Sequence, residues 1–352
     1  MDDTGSRQSD NVFSAAARAP TMRDVAALAG VSLKTVSRVV NREPGVSGEL
    51  TSQVLDAVRL LGYRPNMTAS SLRRADKKTA TIGLLLEDVA NPFSSALHRA
   101  IEDVAARRGT MVFAASSDED AGREAEVLHA FAVRRVDGLI LVPANHDLTE
   151  LAHERRLGRP IVFVDRRAAL RDADTVTVDN RTGIAGAVGH LAAHGHRRIA
   201  YLGDLRSIWT AGERYLGYAQ GLTAEGIRLD SRLERQDVHG VDAAEAAVLE
   251  LLGSDETPTA LLTGQNLITI GAIRALQRLG LQRRVALVGF DDFLLADLLD
   301  PPVSVVAQDA AVLGRTAAEL LFARLDGDRS PFRNVVVPTR LIPRGSGEIP
   351  PA

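Results

Sequence analysis

Between Thr21 and Tyr63 the apolar positions recur every three to four residues; past residue 79 they gather into short runs. In the first stretch Val25, Ala26 and Leu28–Ala29 supply one apolar face and Val36, Val39 and Val40 a second. That spacing marks amphipathic helices. Thr21, with Asp24 three residues later, is placed to cap the first helix, and Ser32 to cap the next. Gly30 separates them. The segment is therefore expected to form three short helices with a tight turn after the first. Beyond Thr79, strands are expected at Ala80–Leu86, Met111–Ala115, Val136–Val142, Ile161–Asp165 and Thr175–Asp179, and again at Ile199–Leu202, Ala260–Thr263 and Val285–Phe290. Helical stretches such as Phe93–Arg108, Gly122–Arg134 and Arg181–Ala193 separate them. Such alternation argues for parallel sheets covered on both faces. There are too many units for one ordinary open sheet, so two doubly wound subdomains with a cleft between them are expected. Ligands of such sheets sit beyond the carboxyl ends of the strands.

The polar face of the second helix carries chemistry. Opposite its valine stripe lie Leu33, Lys34, Ser37, Arg38 and Asn41. A long, basic, polar face just after a glycine turn fits the second helix of a helix-turn-helix. Lys and Arg can bond the acceptors of guanine, and hydroxyls and Asn can reach phosphates or bases. The plainer alternative is a small helical bundle with a solvated basic face. Further on, Pro65 and Asn66 stop one element and can start another. Met67–Leu72 is compatible with a helix but too short to hold one alone in water. It reads either as a solvated linker or as a helix that orders only on DNA.

Charge localises the polyanion partner. The whole chain carries −3, but residues 20–78 hold ten Lys/Arg against five acids, a surplus of five that leaves −8 for the rest. A chain of 352 residues, 45% hydrophobic, has room for two or three domains. No run approaches the ~18 apolar residues of a membrane span. The first nineteen residues start acidic and contain no long apolar stretch, which suits a disordered leader and not a secretory signal. With no cysteine there are no disulfides, no Cys-based zinc sites and no thiol catalysis. A cytoplasmic, nucleoid-associated protein without a membrane partner is expected.

The string A-x-x-A-G-V-S-x-x-T-V-S-R-V-x-N over Ala26–Asn41 closely resembles the lac repressor family of bacterial transcription regulators. The resemblance continues through R-P-N-x-x-A-x-S-L-R at 64–73, Ile82-Gly-Leu-Leu-Leu, Asn91-Pro-Phe, Arg135-Val-Asp-Gly-Leu-Ile, Val178-Asp-Asn, His194-Gly-His-Arg-Arg-Ile-Ala-Tyr-Leu-Gly, Glu213-Arg-Tyr-Leu-Gly-Tyr and Val288-Gly-Phe-Asp-Asp. It implies an N-terminal three-helix helix-turn-helix domain followed by an α/β effector domain of two subdomains, like a periplasmic binding protein. The implied bounds are a leader at 1–19, a DNA-binding domain at 20–64, a hinge helix and linker at 65–78, and an effector-binding and dimerisation domain at 79–346. Within the last, the N-subdomain takes about 79–178 and 307–333 and the C-subdomain about 179–306 and 334–346, with crossings near 178, 306 and 334.

The same resemblance implies DNA contacts from Thr21, Ser32, Leu33, Lys34, Thr35, Ser37, Arg38, Asn41, Asn66, Ala69, Leu72 and Arg73. Leu72 matches the leucine that wedges into the minor groove from paired hinge helices, with small Ala69 letting the hinges approach. Effector contacts are implied at Phe93, Asp165, Arg166, Asp179, Asn180, Trp209, Arg214, His239, Gln265, Asn266, Asp291 and Gln308. Carboxylates accept from hydroxyls, amides do both and Arg donates a fork, while Phe93 or Trp209 can cover an apolar sugar face. Departures from the pattern are Leu50-Thr51 for Thr-Arg, Gln265-Asn266 for Asn-Asp, and Gln308-Asp309 for Gln-Pro.

The expected function is a ligand-responsive repressor of sugar-metabolism genes. Its expected partners are a palindromic double-stranded operator, a small-molecule effector such as a sugar, and a second copy of itself, as a homodimer or larger; no cofactor is expected. A solute-binding protein would share the body but lack residues 20–74. A nucleotide- or sugar-modifying α/β enzyme would need a phosphate loop, and neither G-x-x-x-x-G-K-[ST] nor a helix-opening G-x-G-x-x-G occurs. His190, His194 and His196 have a spacing that can bind metal, but no carboxylate or Cys completes a set, and packing is the expected role. Asp291 and Asp292, adjacent on a turn, should diverge too far to act as a catalytic acid pair.

Overall fold

The computed structural model describes residues 19–41, 43–64, 78–144, 151–168, 172–254 and 257–351, which fall into two compact units divided between Thr79 and Ala80. The first unit holds α1 (Met22–Leu28), α2 (Leu33–Val40) and α3 (Gly48–Leu61). Thr21 caps α1 in a reciprocal box: its hydroxyl accepts from Asp24 N–H while the Asp24 carboxylate accepts from Thr21 N–H at 2.7 Å. Ser32 accepts from Thr35 N–H at 3.1 Å and Ser47 from Leu50 N–H, so each helix starts on a hydroxyl. Gly30 takes φ +61° between α1 and α2, a left-handed conformation that costs a side-chain-bearing residue more. Val25, Ala29, Val36, Val39, Val54, Ala57 and Tyr63 form the core of the unit. Leu28, expected on the buried face of α1, is half exposed instead. A helix this short turns only one stripe inward, and Val25 and Ala29 fill it.

The second unit contains two six-stranded sheets. The first runs β11-β5-β4-β3-β1-β2 and is wholly parallel, with β1 Thr81–Leu86, β2 Met111–Ser116, β3 Gly138–Leu141, β4 Ile161–Val164, β5 Asp174–Val178 and β11 Asn334–Val337. The second runs β12-β10-β9-β8-β6-β7, with β6 Ile199–Leu202, β7 Glu234–Arg235, β8 Ala260–Thr263, β9 Ala286–Phe290, β10 Ser304–Ala307 and an antiparallel edge β12 Arg340–Ile342. Strand residues sort by period two. Ile82, Leu84 and Leu86 of β1 pack with Leu97 and Ile101 of α4 (Pro92–Arg107) and with Leu313 and Leu321 of α11 (Ala310–Leu325). Leu85 faces the other way, toward Leu128 and Phe131 of α5 (Ala121–Arg134). A short helix α6 (Leu151–Arg156) completes that face through Leu151. Parallel strands buried on both faces read as continuous apolar runs, which is why TIGLLL and ALVGF were legible as strands.

The second sheet is covered by α7 (Asn180–Ala193) with α8 (Trp209–Ala224), and by α9 (Val241–Leu252) with α10 (Asn266–Leu279). Glycines let paired helices close on each other: a Cβ at Gly217 of α8 would come to 2.5 Å from Arg181 O of α7, and one at Gly314 of α11 to 2.6 Å from Leu97 O of α4.

The chain passes between the sheets three times, after β5, after β10 and between β11 and β12. The third crossing therefore falls at 338–339, past the expected 334, because Asn334–Val337 pairs in register with Thr175–Val178 of the first sheet. The second subdomain also runs on beyond 346: Ile349 O bonds His196 Nε2 at 2.7 Å, and Pro351 packs by Gly195. Among the described residues no helix is long and apolar enough to cross a membrane.

Candidate functional site

Two sites emerge, one in each unit. In the first, the valine stripe of α2 is spent on the core, so the opposite face is free. Leu33 and Lys34 are exposed at its start, and Ser37, Arg38 and Asn41 are partly exposed along it. Arg38 lies 3.8 Å from Glu43, an exposed pair that an incoming phosphate or base can outcompete. Asn41 donates to Ser37 Oγ at 3.3 Å, and Thr35 Oγ1 lies 2.9 Å from Ser32 Oγ. Thr21 and Ser32 thus cap helices whose positive dipole ends suit phosphate. Asn66, Ala69, Leu72 and Arg73 lie outside the described residues.

In the second unit a cleft of about 160 Å³ opens between the two sheets. Its polar lining follows one rule: the residues stand just past the carboxyl ends of strands. Glu87 and Asp88 follow β1, Asp118 and Glu119 follow β2, and Asp165 and Arg166 follow β4. Across from them Asp204 follows β6, His239 comes four residues past β7, and Gln265, Asp291 and Gln308 follow β8, β9 and β10. Asn91, Phe93, Ile208, Thr210, Ala211, Arg214 and Leu267 complete the lining from helices and their starts.

The two walls repeat one device. Asp165 and Asp291 each leave their strand at positive φ, +68° and +71°, and each anchors its own N–H on the neighbouring strand, at Val176 O (2.8 Å) and Val306 O (2.9 Å). Non-glycine residues rarely adopt this conformation, and it accumulates at ligand sites. Burial pushes both carboxyls above the ordinary aspartate range despite nearby guanidinium groups, Arg166 and Arg214 for Asp165 and Arg214 for Asp291. Burial likewise raises Glu87 to about 7, against the opposing pull of Arg166 and a 2.6 Å hydrogen bond from Ser94. At Asp204 burial is outweighed by bonds from His239 (2.8 Å), Gln265 (3.1 Å) and Leu205 N–H (2.8 Å), which hold it below the usual value. The same bond raises His239.

Arg214 is held for presentation. Its Nε donates to Asn180 Oδ1 at 2.7 Å, its Nη1 to Gly264 O at 2.8 Å, and its plane lies 3.9 Å over the Phe290 ring. Arg166 donates both Nη groups to Glu119 at 2.7 and 2.6 Å. Three lining atoms are buried without a partner: Asp165 Oδ1, Arg166 Nε and Gln308 Oε1. Buried polar atoms of that kind want a ligand or water.

Residues 21–66 match the model for bacterial regulatory proteins of the lacI family, and residues 188–347 match that for a periplasmic binding protein-like domain. The chain is 31% identical over 325 residues to catabolite control protein A of Priestia megaterium, covering 91% of this chain and 97% of that one. It belongs to the lacI family. The lac repressor dimer bound to operator and the anti-inducer ONPF superposes with a TM-score of 0.82 at 27% identity, over 94% of this chain and 99% of that one. A CelR–cellobiose complex matches at 30% identity and a TM-score of 0.70, over 93% and 99%. This lacI-family chain is a DNA-binding transcriptional regulator with an α/β effector domain.

Of the twelve effector positions read from the sequence, eight line the cleft: Phe93, Asp165, Arg166, Arg214, His239, Gln265, Asp291 and Gln308. The other four stand behind or beside it. Asn180 is buried and spends its carbonyl on Arg214. Asn266, fully buried, donates to Asn91 Oδ1 at 2.9 Å and so ties the second wall to the first. Trp209 lies 5.6 Å under the Arg167 guanidinium, a cation–π contact that also joins the subdomains. Asp179 precedes α7 without capping it through its side chain, and its Oδ1 is buried and unpaired. Sequence reasoning missed Glu87, Asp88, Asp118, Glu119 and Asp204. Their position just past strands that were correctly located was the available signal.

The set-aside motifs also resolve. His190 bonds Glu348, His194 bonds His190 O and packs its ring 4.6 Å from that of His190, and His196 bonds Thr259 and Ile349, so all three are engaged in packing contacts. Asp292 turns away from Asp291 into a two-pronged pair with Arg344 at 2.7 and 2.6 Å.

Proposed function

We propose that the protein represses carbohydrate-metabolism genes as a homodimer on a palindromic operator and is released or engaged by a small polyhydroxyl effector, of the sugar class, in the inter-subdomain cleft. The observation that carries this reading is the cleft itself: a small, two-walled site with convergent carboxylates, amides and one presented guanidinium, with Phe93 in its lining. Such groups match hydroxyls, which donate and accept at once. The volume suits a single-ring metabolite more than the larger ligands of ordinary pockets. A cellobiose-bound relative supports the class. No cofactor is needed for this mode of action.

Dimerisation is supported by apolar side chains on the outside of the second unit. Met111 and Phe113 stand exposed on the edge strand β2, and Leu294 and Leu298 on the loop after β9. Exposed large apolar side chains of this kind are what a second copy would cover. A two-fold dimer then presents two copies of α2 to two half-sites, so operator symmetry mirrors protein symmetry. The effector shifts the angle between subdomains, and residues 65–78, which join the two units in the chain, carry that shift to DNA binding with a coupling of about 1–3 kcal/mol.

The test is operator affinity with and without effector, after a thermal-shift screen of sugars, nucleosides and sugar phosphates finds a stabilising ligand. Arg214→Ala and Asp291→Ala should abolish the response and keep operator binding. A full response in either variant places the effector elsewhere.

A further inference from the structure

The two walls of the cleft are not charged alike. The second-subdomain wall sets two carboxylates, Asp204 and Asp291, against Arg214, with His239 bonded to Asp204. The first-subdomain wall sets five carboxylates, at Glu87, Asp88, Asp118, Glu119 and Asp165, against the single guanidinium of Arg166. Arg166 does not spread its charge into the cleft. Both its Nη groups are committed to Glu119, and its Nε lies 3.5 Å from Asp165. Asp118 is answered from outside by Arg123. Glu87 accepts from the neutral Ser94 hydroxyl at 2.6 Å, and Arg166 acts on it through space, with no hydrogen bond between the two among the described residues. Asp165 is 95% buried, since only 5% of its surface is exposed, and its Oδ1 has no partner at all.

This wall is rich in acceptors and short of positive charge, with Arg166 Nε as its one buried side-chain donor left unspent among the described residues. A hydroxyl supplies one donor and brings an acceptor with it. An ammonium supplies three donors, no acceptor and a full charge. Carboxylates buried without a counter-charge are costly, and an incoming cation relieves that cost where a neutral group relieves it only in part. An anionic ligand would add to it.

We propose that the effector is an amine-bearing polyhydroxyl compound whose ammonium sits against Glu87 and Asp165, and that phosphorylated and carboxylated relatives of it are rejected. The inference rests on the polyhydroxyl reading of the cleft above and adds the ligand's charge. The hydroxyl end faces the Arg214–Asp291 wall, where both donors and acceptors are available. Glu87 is then the residue that sets specificity for charge.

The experiment uses the full-length protein and a matched panel. Each common pentose and hexose is compared with its terminal amino-deoxy form, the N-acetylated form of that amine, and its terminal phosphate, by thermal shift and then titration calorimetry. The aminated member of at least one set is expected to bind tenfold or more tighter than its neutral parent, with the N-acetyl and phosphate forms weaker than the parent. Glu87→Gln should remove most of that preference, read as the ratio of amine to parent affinity within each variant. If no aminated member outbinds its parent, the proposal is overturned. Parents that bind in that case leave the polyhydroxyl reading standing, whereas silence from the whole panel removes that reading as well. A phosphate form that binds best overturns the proposal outright. An amine preference that survives in Glu87→Gln overturns the placement of the ammonium.

Discussion

At the scale of single residues, the cleft trades stability for readiness. The Glu87 carboxyl titrates near 4.5 when free of the fold and is pushed to about 7 in it, chiefly by burial. Between those values the folded protein holds the proton more tightly than the unfolded chain. Stability therefore falls as pH rises from 4.5 to 7, by about 3 kcal/mol, and the loss is complete above 7. Glu87→Gln keeps an acceptor for Ser94 and cannot ionise. Urea unfolding should find it close to the parent at pH 5 and more stable at pH 8; equal effects at the two pH values would contradict the burial argument. Asn180 acts one layer back. Asn180→Ala removes the acceptor that holds Arg214 Nε, a bond to a charged group worth about 1.5–3 kcal/mol. Effector affinity should drop about tenfold or more with operator affinity unchanged, which calorimetry and a DNA-binding titration would separate. On α2, Arg38→Ala should cost about 1–3 kcal/mol of operator binding and relax preference at one base pair per half-site. A unchanged ranking of operator variants would reassign Arg38 to phosphate contact.

At the scale of elements, the ends of helices and the faces between them decide the outcome. α2 has eight residues and cannot persist alone, so its start on Ser32 matters. Ser32→Ala should cost about 1 kcal/mol of stability in the first unit. The loss should be visible as a lower melting temperature for that unit. In the second unit, Gly217→Ala would press a methyl group onto the Arg181 carbonyl. Either α7 and α8 separate or the chain strains, at about 1–3 kcal/mol. Gly212 on the same helix has open space at its Cβ position, so Gly212→Ala serves as the control and should be neutral or stabilising. Denaturation of the pair of variants would show whether packing, and not helix propensity, sets the glycine at 217.

At the scale of the molecule, two ties cross the cleft from wall to wall: Asn266 to Asn91, and Trp209 under Arg167. Both are modest interactions, of the size that an effector can outweigh or reinforce. Removing both, in Asn266→Ala with Trp209→Ala, should shift the subdomains apart. Small-angle scattering of the effector-free protein should then show a larger radius of gyration than the parent, and an unchanged profile would mean that the crossings alone set the angle.

Much of this architecture was legible in the chain because it rests on local periodicity. The valine stripe of α2, the hydroxyls at Thr21 and Ser32, and the fully apolar runs of β1, β6, β8 and β9 are decided by residues a few positions apart. The string at Ala26–Asn41 carried the family with it. What periodicity could not decide was anything set by pairing across the chain. Asn334–Val337 is mostly exposed and reads as a weak edge; only its register against β5 places it in the first sheet and moves the third crossing to 338–339. Asn180, Trp209 and Asn266 stand beside the pocket residues in sequence, yet their side chains are spent on Arg214, Arg167 and Asn91 and not on the cavity lining. Glu87, Glu119 and Asp204 were plain polar residues in sequence. They became a site only when two sheets, folded from separate stretches, brought their strand ends face to face, and the charge balance of the cleft follows from that tertiary act alone.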